Sequence, residues 1–307
     1  MNTGTVLYGI NNIFTVRTAE GDLECRIKGK TLKNEESEHN PLAPGDLVMF
    51  EIDSHNREYG LITERVERKN AFSRLNRKSR SPQTLAANID GVACVTSSRN
   101  PPFRPRFIDR VFLEAERAGI PAWIIYNKTD LGSTEDADRR LENFERMGYR
   151  VFRCSASTGE GVDEVRRHTS GSRVVYLGQS GVGKSTLLNR LYPGLDLKTG
   201  EVSRKYDRGV HTTVYSVMIP MEEGTVIDTP GIREIELRGL SYAELAYLFR
   251  DFRDLVPLCG MRNCRHLDEP GCAVRAAVDK GGIHPDRYES YRTILASLDE
   301  IYLNEFR

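Results

Sequence analysis

Two short polar motifs hold the residues whose types and spacing could do chemistry. Asn127, Lys128, Thr129 and Asp130 follow the apolar run WIIY. The Asp130 carboxylate can accept two hydrogen bonds from the N1–H and exocyclic amine of guanine, a donor pair that adenine lacks. Asn127 would bind the O6 side and brace its own loop, while the Lys128 stem would lie along the base. The next strand-like run ends in CSAS, Cys154 to Ser157, which places Ser155 and Ala156 where a backbone amide can contact guanine O6. The second motif is GQSGVGKS. Its residues Gly178, Gln179, Ser180, Gly181, Val182 and Gly183 can wrap backbone N–H groups around a β-phosphate, and the helix that follows adds its positive end. Lys184 would reach the β- and γ-phosphates and stabilise their charge during hydrolysis, Ser185 would ligate Mg²⁺, and Thr186 continues the site into the first helical turn.

A third motif completes the phosphate side. Asp228 to Gly231, DTPG, ends another apolar run. Asp228 would hold Mg²⁺ through water, and the Gly231 N–H would sense the γ-phosphate. Between the two, DRGVHTT supplies Thr212 and Thr213; one of them should ligate Mg²⁺ in the GTP state, with Thr213 preferred. A Thr-Thr pair is also ordinary β-former chemistry. Ile232 stands where many GTPases place a water-orienting glutamine, so unaided hydrolysis should be slow. His211 is the candidate substitute, against the competing reading of a structural or exposed histidine. The order of these motifs is itself informative. NKTD precedes the phosphate loop, the reverse of ordinary GTP-binding switch proteins, and this order reads as a circularly permuted G domain.

Cys259, Cys264, His266 and Cys272 offer three thiolates and an imidazole within fourteen residues. This is the donor set of a closed, four-coordinate structural zinc site, which leaves no position for substrate. Cys25, Cys94 and Cys154 stand alone in strand-like runs, where each fits as a small buried apolar residue. The clustering favours metal over disulfide in a reducing compartment.

Three kinds of element must position these residues. Up to residue 68 the chain reads as short strands at Val6–Gly9, Phe14–Thr18, Leu23–Ile27, Leu47–Ile52 and Tyr59–Thr63, a pattern that predicts a small closed barrel. The polar segment LKNEESEHNPLAPGD reads as a mobile loop within it. Arg65 to Arg80 carries seven basic residues against one acid, and its stretch 69–82 reads as a basic linker suited to RNA phosphate. From 83 to 235, strands at Gly91–Thr96, Ala122–Tyr126, Arg150–Cys154, Arg173–Leu177, Val214–Ile219 and Thr225–Ile227 alternate with helices at Pro105–Ala118, Glu135–Met147 and Lys184–Leu191. This predicts an α/β sheet with ligand loops at the carboxyl ends of its strands. From 236 to 307 the chain reads as mostly helical, with a capping box at Ser241 and Glu244 and an amphipathic helix over Arg287–Phe306.

With 307 residues and 39% hydrophobic content the chain can bury cores for more than one domain. Its 44 basic and 44 acidic residues balance, so attraction to nucleic acid must come from local patches. No apolar run reaches the length of a membrane span, and the first residues lack a basic region and cleavage site. The expectation is a cytoplasmic protein with no membrane partner, and nothing requires more than a monomer.

Taken in order, the barrel, ANID before the first G-domain strand, NKTD, SA, GQSGVGKS, HTT, DTPG, and the cysteine–histidine cluster ending in EPGCAV resemble the bacterial small-subunit-dependent, circularly permuted GTPase family. The resemblance covers nearly the whole chain. It implies an N-terminal OB-fold, a permuted P-loop G domain and a C-terminal zinc module. It also implies GTP/GDP, Mg²⁺ and one structural Zn²⁺ as cofactors. The small ribosomal subunit and its rRNA would be the partner, with a role in late subunit maturation and hydrolysis stimulated by the subunit. Ile232 agrees with the apolar residue of that family. Two competing readings are a metabolic P-loop kinase, which gives no reason for NKTD and SA, and a nucleotide-independent RNA-binding module. Intact Lys184, Ser185 and Asp228 argue against the second. DTPG is the last G motif, so the chain should carry nucleotide state through Ile232–Leu240 into the C-terminal module.

Overall fold

The computed structural model describes residues 2–29, 31–32, 39–54, 56–76, 81–197, 216–229, 235–237 and 239–305. Alternating apolar residues close the first five strands into a barrel. Strands β1 (Asn2–Ile10), β2 (Ile13–Thr18), β3 (Gly21–Ile27), β4 (Leu47–Ile52) and β5 (Tyr59–Arg65) join in the order β1-β2-β3-β5-β4, with β1 returning to β4. All pairs are antiparallel except β3 with β5, a five-stranded barrel of OB type. Val6, Phe14, Val16, Cys25, Val48 and Phe50 fill it. A bulge between Val6 and Tyr8 divides the work of two successive residues. Val6 enters the barrel core, and Leu7 enters the core of the neighbouring domain. Part of the loop read as mobile lies outside the described residues, at 33–38, but its second half is buried through Leu42, Ala43 and Asp46.

The stretch expected as a linker over 69–82 is different in the structure. Strands β6 (Ala71–Asn76) and β7 (Ser81–Ala87) pair antiparallel. Phe72, Leu85 and Ala86 are buried against the G-domain core. Nearby Arg68 is not a solvated cation: its guanidinium forks onto fully buried Asp46 at 2.7 and 2.9 Å. The density of charge hid a two-residue apolar period that only a few residues carry.

The G domain is a six-stranded sheet built from β8 (Gly91–Ser97), β9 (Ala122–Asn127), β10 (Arg150–Arg153), β11 (Arg173–Gly178), β12 (Val217–Met221) and β13 (Gly224–Asp228). The spatial order is β10-β9-β8-β11-β13-β12, parallel except for β12 against β13. Residues 214–215 of the expected strand before Ile219 lie outside the described residues. Helices α1 (Pro105–Arg117) and α2 (Glu135–Arg146) cover one face; α3 (Val162–Thr169) and α4 (Lys184–Leu191) cover the other. Successive residues of β8 alternate between them. Val92 and Cys94 pack with Phe112 and Phe144, while Ala93 and Val95 pack with Val165 and Leu188. Because five strands are parallel, their carboxyl ends emerge at one edge, where Asn127, Gly178 and Asp228 end their strands.

The C-terminal module contains α5 (Tyr242–Leu248), α6 (Ala273–Asp279) and α7 (Pro285–Glu305). Helix α5 starts at a capping box in which Ser241 and Glu244 satisfy each other's backbone N–H at 3.2 and 2.8 Å. Leu245, Phe249, Phe252, Val274 and Tyr291 form its core with Leu113 of α1. Among the described residues no helix is long and apolar enough to cross a membrane.

Candidate nucleotide site and metal centre

The phosphate loop runs from the end of β11 into α4. Gly181 and Gly183 have φ of +84° and +87°, a left-handed region that disfavours side chains. At Gly183 space is the second reason: a Cβ would lie 2.5 Å from the Asn127 amide nitrogen. Gly178 meets the same limit against the Val95 carbonyl. Gln179, Ser180 and Val182 complete the turn, and Lys184, Ser185 and Thr186 open α4.

Asn127 joins three loops. It is 1% exposed; its Nδ2 donates to the Val182 carbonyl at 3.0 Å, and its Oδ1 accepts from the Ala156 N–H at 2.9 Å. Both ends of its amide are thus engaged within the protein, and loops from β9, β10 and β11 are held in fixed relation. Lys128, at φ +65°, donates to the Gly181 carbonyl at 2.6 Å and to the Asn100 carbonyl. Asp130 is exposed and accepts from the Ser155 hydroxyl at 2.6 Å. That hydrogen bond holds the Asp130 carboxyl below the usual carboxylate range, which keeps it an acceptor for a base edge. On the phosphate side, Lys184 pairs with Asp228 and donates to the Thr229 carbonyl at 2.6 Å. His211, Thr212, Thr213, Gly231 and Ile232 lie outside the described residues.

The described residues fit a nucleotide–Mg²⁺ complex. Ser185 and Asp228 supply oxygens of the kind that magnesium takes, and Lys184 stands beside Asp228.

The four metal-ligand candidates converge. Their ligand atoms lie within 4.8 Å of one another. His266 Nδ1 is 3.5 Å from Cys259 Sγ and 3.6 Å from Cys272 Sγ. A tetrahedral zinc with ordinary Zn–N and Zn–S lengths separates N from S by about 3.6 Å, so the spacing and donor set are compatible with that ion. Burial lowers the His266 pKa, favouring the neutral ring that ligates metals. Cys25, Cys94 and Cys154 are buried free thiols apart from this group, and burial pushes Cys25 up to about 11 and Cys154 up to about 12.

Some supporting residues gave no sequence signal. Arg190 of α4 donates to the carbonyls of Ala156, Ser157 and Thr158 at 3.3, 3.4 and 3.1 Å, tying the guanine side to the phosphate-loop helix. A single helical arginine reads as solvated surface, so the contact is visible only in three dimensions. Glu269 likewise accepts from the Arg265 and Leu267 N–H groups at 2.9 and 2.8 Å, shaping the turn around His266.

A parallel sheet whose guanine loop precedes its phosphate loop, flanked by a barrel and a cysteine–histidine module, defines the class of circularly permuted GTPases. A model of the RsgA GTPase family matches residues 65–238. The chain belongs to that family and is a GTP-hydrolysing enzyme. The small ribosomal subunit biogenesis GTPase RsgA of Borreliella burgdorferi is 40% identical over 295 residues, 95% of each chain. Its counterpart in Chlorobaculum parvum is 38% identical over 307 residues, 97% of this chain and 98% of that one. Among solved structures, YjeQ from Thermotoga maritima matches with a TM-score of 0.73 at 30% identity, covering 97% of this chain and 98% of its own. YloQ, a circularly permuted GTPase, matches with a TM-score of 0.70 at 26% identity, covering 98% and 96%.

Proposed function

We propose that the protein is a GTP switch that docks on the small ribosomal subunit, acts in its late maturation, and leaves after hydrolysing GTP to GDP and phosphate. The observation that carries the nucleotide part is Asn127, whose amide fastens the guanine loops to the phosphate loop. The ribosomal part is supported by relatives that match nearly end to end and are named for small-subunit biogenesis.

Asp130 reads guanine, a backbone amide at Ser155–Ala156 faces O6, and the Lys128 stem lies along the base. Residues 178–186 cradle the phosphates, and Lys184 stabilises their charge during in-line attack by water. Ser185, Asp228 and one of Thr212 and Thr213, preferably Thr213, would hold Mg²⁺, which supplies charge neutralisation at the phosphate oxygens. Gly231 senses the γ-phosphate, and His211 orients water in place of the glutamine that Ile232 replaces. Cys259, Cys264, His266 and Cys272 hold one structural zinc. The barrel at 1–68, the basic stretch at 69–82 and the zinc module at 236–307 contact the subunit and its rRNA, around a G domain at 83–235. The protein works as a cytoplasmic monomer.

Asp130→Asn tests the guanine assignment. Losing the charged acceptor should weaken GTP binding by about 30- to 150-fold, the equivalent of about 2–3 kcal/mol. Xanthosine triphosphate, whose 2-oxo group accepts where guanine donates, should gain affinity. Unchanged GTP binding would overturn the assignment. For His211, unchanged subunit-stimulated hydrolysis in His211→Ala with intact GTP binding would rule it out.

A further inference from the structure

Beside the phosphate loop lies a second recess, which shares only Gln179 with the residues assigned to the nucleotide. It has a volume of about 390 Å³ and opens where the start of α1, the phosphate loop and the start of α7 meet, with Phe103, Arg104, Arg106, Arg110, Gln179 and Asp286 in its wall. The size suits a small ligand. Asp286, the one carboxylate among the described lining residues, is already paired with Arg106 at 2.9 Å and faces Arg140 at 3.5 Å. Arg110 is half-buried and donates to the Ile235 carbonyl at 3.4 Å. Arg104 is exposed; its carbonyl accepts from the Phe107 N–H at 3.1 Å, and its guanidinium has no ion pair or hydrogen bond among the described residues. Phe103 is half-buried and packs edge-on against Tyr126, 5.6 Å between ring centres.

A free guanidinium beside an aromatic ring and an amide is the chemistry of an unpaired nucleotide, with a phosphate for the cation, a stacking surface for the base and polar atoms for its edge. An acidic peptide would satisfy the arginine but would leave the aromatic wall without a role. Gln179 is the second residue of the phosphate loop, so whatever fills the recess abuts the segment that cradles the β- and γ-phosphates. Ile232 carries no group that can orient water and His211 is the chain's own candidate for that task, so a rate increase that depends on the subunit must enter through a contact the subunit makes.

We propose that this recess receives an unpaired RNA nucleotide of the docked small subunit, with its base on Phe103 and its phosphate on Arg104, and that filling it stimulates GTP hydrolysis. The proposal rests on the ribosome-dependent reading above. The full-length protein and its Arg104→Ala and Phe103→Leu variants are assayed for GTP hydrolysis without subunits and at saturating purified small subunits, so that lost stimulation is separated from lost docking. Each variant should keep the subunit-free rate within about twofold and lose about tenfold of the stimulated rate; Arg104→Lys, which keeps charge without the planar fork, should lie between. A photo-crosslinking residue at position 104 should attach to rRNA. Stimulated rates within twofold of wild type in both alanine and leucine variants would overturn the proposal, as would a crosslink to ribosomal protein alone. If the wild type itself gains nothing from subunits, the ribosome-dependent reading has failed, and this proposal falls with it.

Discussion

Where the barrel meets the G domain, the contact is made largely by backbone and apolar groups. Gly45, at φ +93°, comes so close to β7 that a Cβ would stand 2.0 Å from the Ala87 carbonyl. The Ala87 N–H donates to the Pro44 carbonyl and the Asn88 amide to the Gly45 carbonyl, each at 2.9 Å, while Leu7 fills the core behind them. Where the C-terminal module meets the same domain, full charges are buried instead. Asp109 of α1 pairs with Arg287 of α7 and accepts from Arg140 of α2 at 3.2 Å, all three side chains almost without exposure. Arg287 also lies over the Phe249 ring at 4.2 Å and reaches Asp251 at 3.3 Å. The first arrangement spreads its stabilisation over main-chain carbonyls, the Asn88 side-chain amide and apolar packing, beside the buried Asp46–Arg68 pair. The second rests on buried charge: Asp109 is shared by two buried guanidiniums, which also reach Asp251 and Asp286, and buried cations without a partner are costly.

Loss of the C-terminal module as a folded body should have the largest effect. Cys264→Ser, or chelation, should abolish zinc binding and unfold that module, since structural zinc contributes on the order of 10 kcal/mol in small metal domains. GTP binding should persist; zinc content, helicity and nucleotide affinity measured together decide it. Asp109→Ala comes next, with a loss of about 3–5 kcal/mol in urea denaturation because two buried guanidiniums lose their shared partner. On the barrel side, Gly45→Ala should cost about 3 kcal/mol through strain and the clash with Ala87, read in the same denaturation assay.

Glu114 sharpens the contrast by pH. It sits on α1 beside Ser73 of β6, and burial pushes its carboxyl up to about 7 despite Arg117 nearby. The folded protein therefore holds a proton that the unfolded chain has released between about pH 4.5 and 7. Its contribution is complete below that window and is lost as pH rises through it. Glu114→Gln should flatten this slope and stabilise the protein at pH 8 by about 2 kcal/mol relative to wild type. Parallel stability–pH curves for the two proteins would contradict the assignment.

Much of the site was legible because its physics is local. A glycine with positive φ, a lysine at a helix start and a carboxylate after a strand each leave a mark at fixed spacing, and the cysteine–histidine group spans only fourteen residues. The six G-domain strands were legible from apolar runs for the same reason. The paired strands β6 and β7 were not, because their buried face rests on few residues set among cations. Helix α3 was missed because eight residues are too short for a clear period. Arg190, Glu269 and Asp109 act across the fold, and nothing in their own neighbourhoods distinguishes them from solvated charges. Asn127 lies between these cases: its motif announced a guanine loop, but its attachment to Val182 needed the sheet to bring the two strands together.

Guanine selection and a response to the small subunit are both properties of the G domain, and hydrolysis of GTP and ATP with and without isolated small subunits tests both at once. GTP turnover should rise by at least about tenfold when subunits are added, as expected for a GTPase that depends on a group supplied in trans, while ATP turnover stays at background. Equal GTP rates in the two conditions would contradict the subunit dependence, and equal use of ATP would contradict the guanine site.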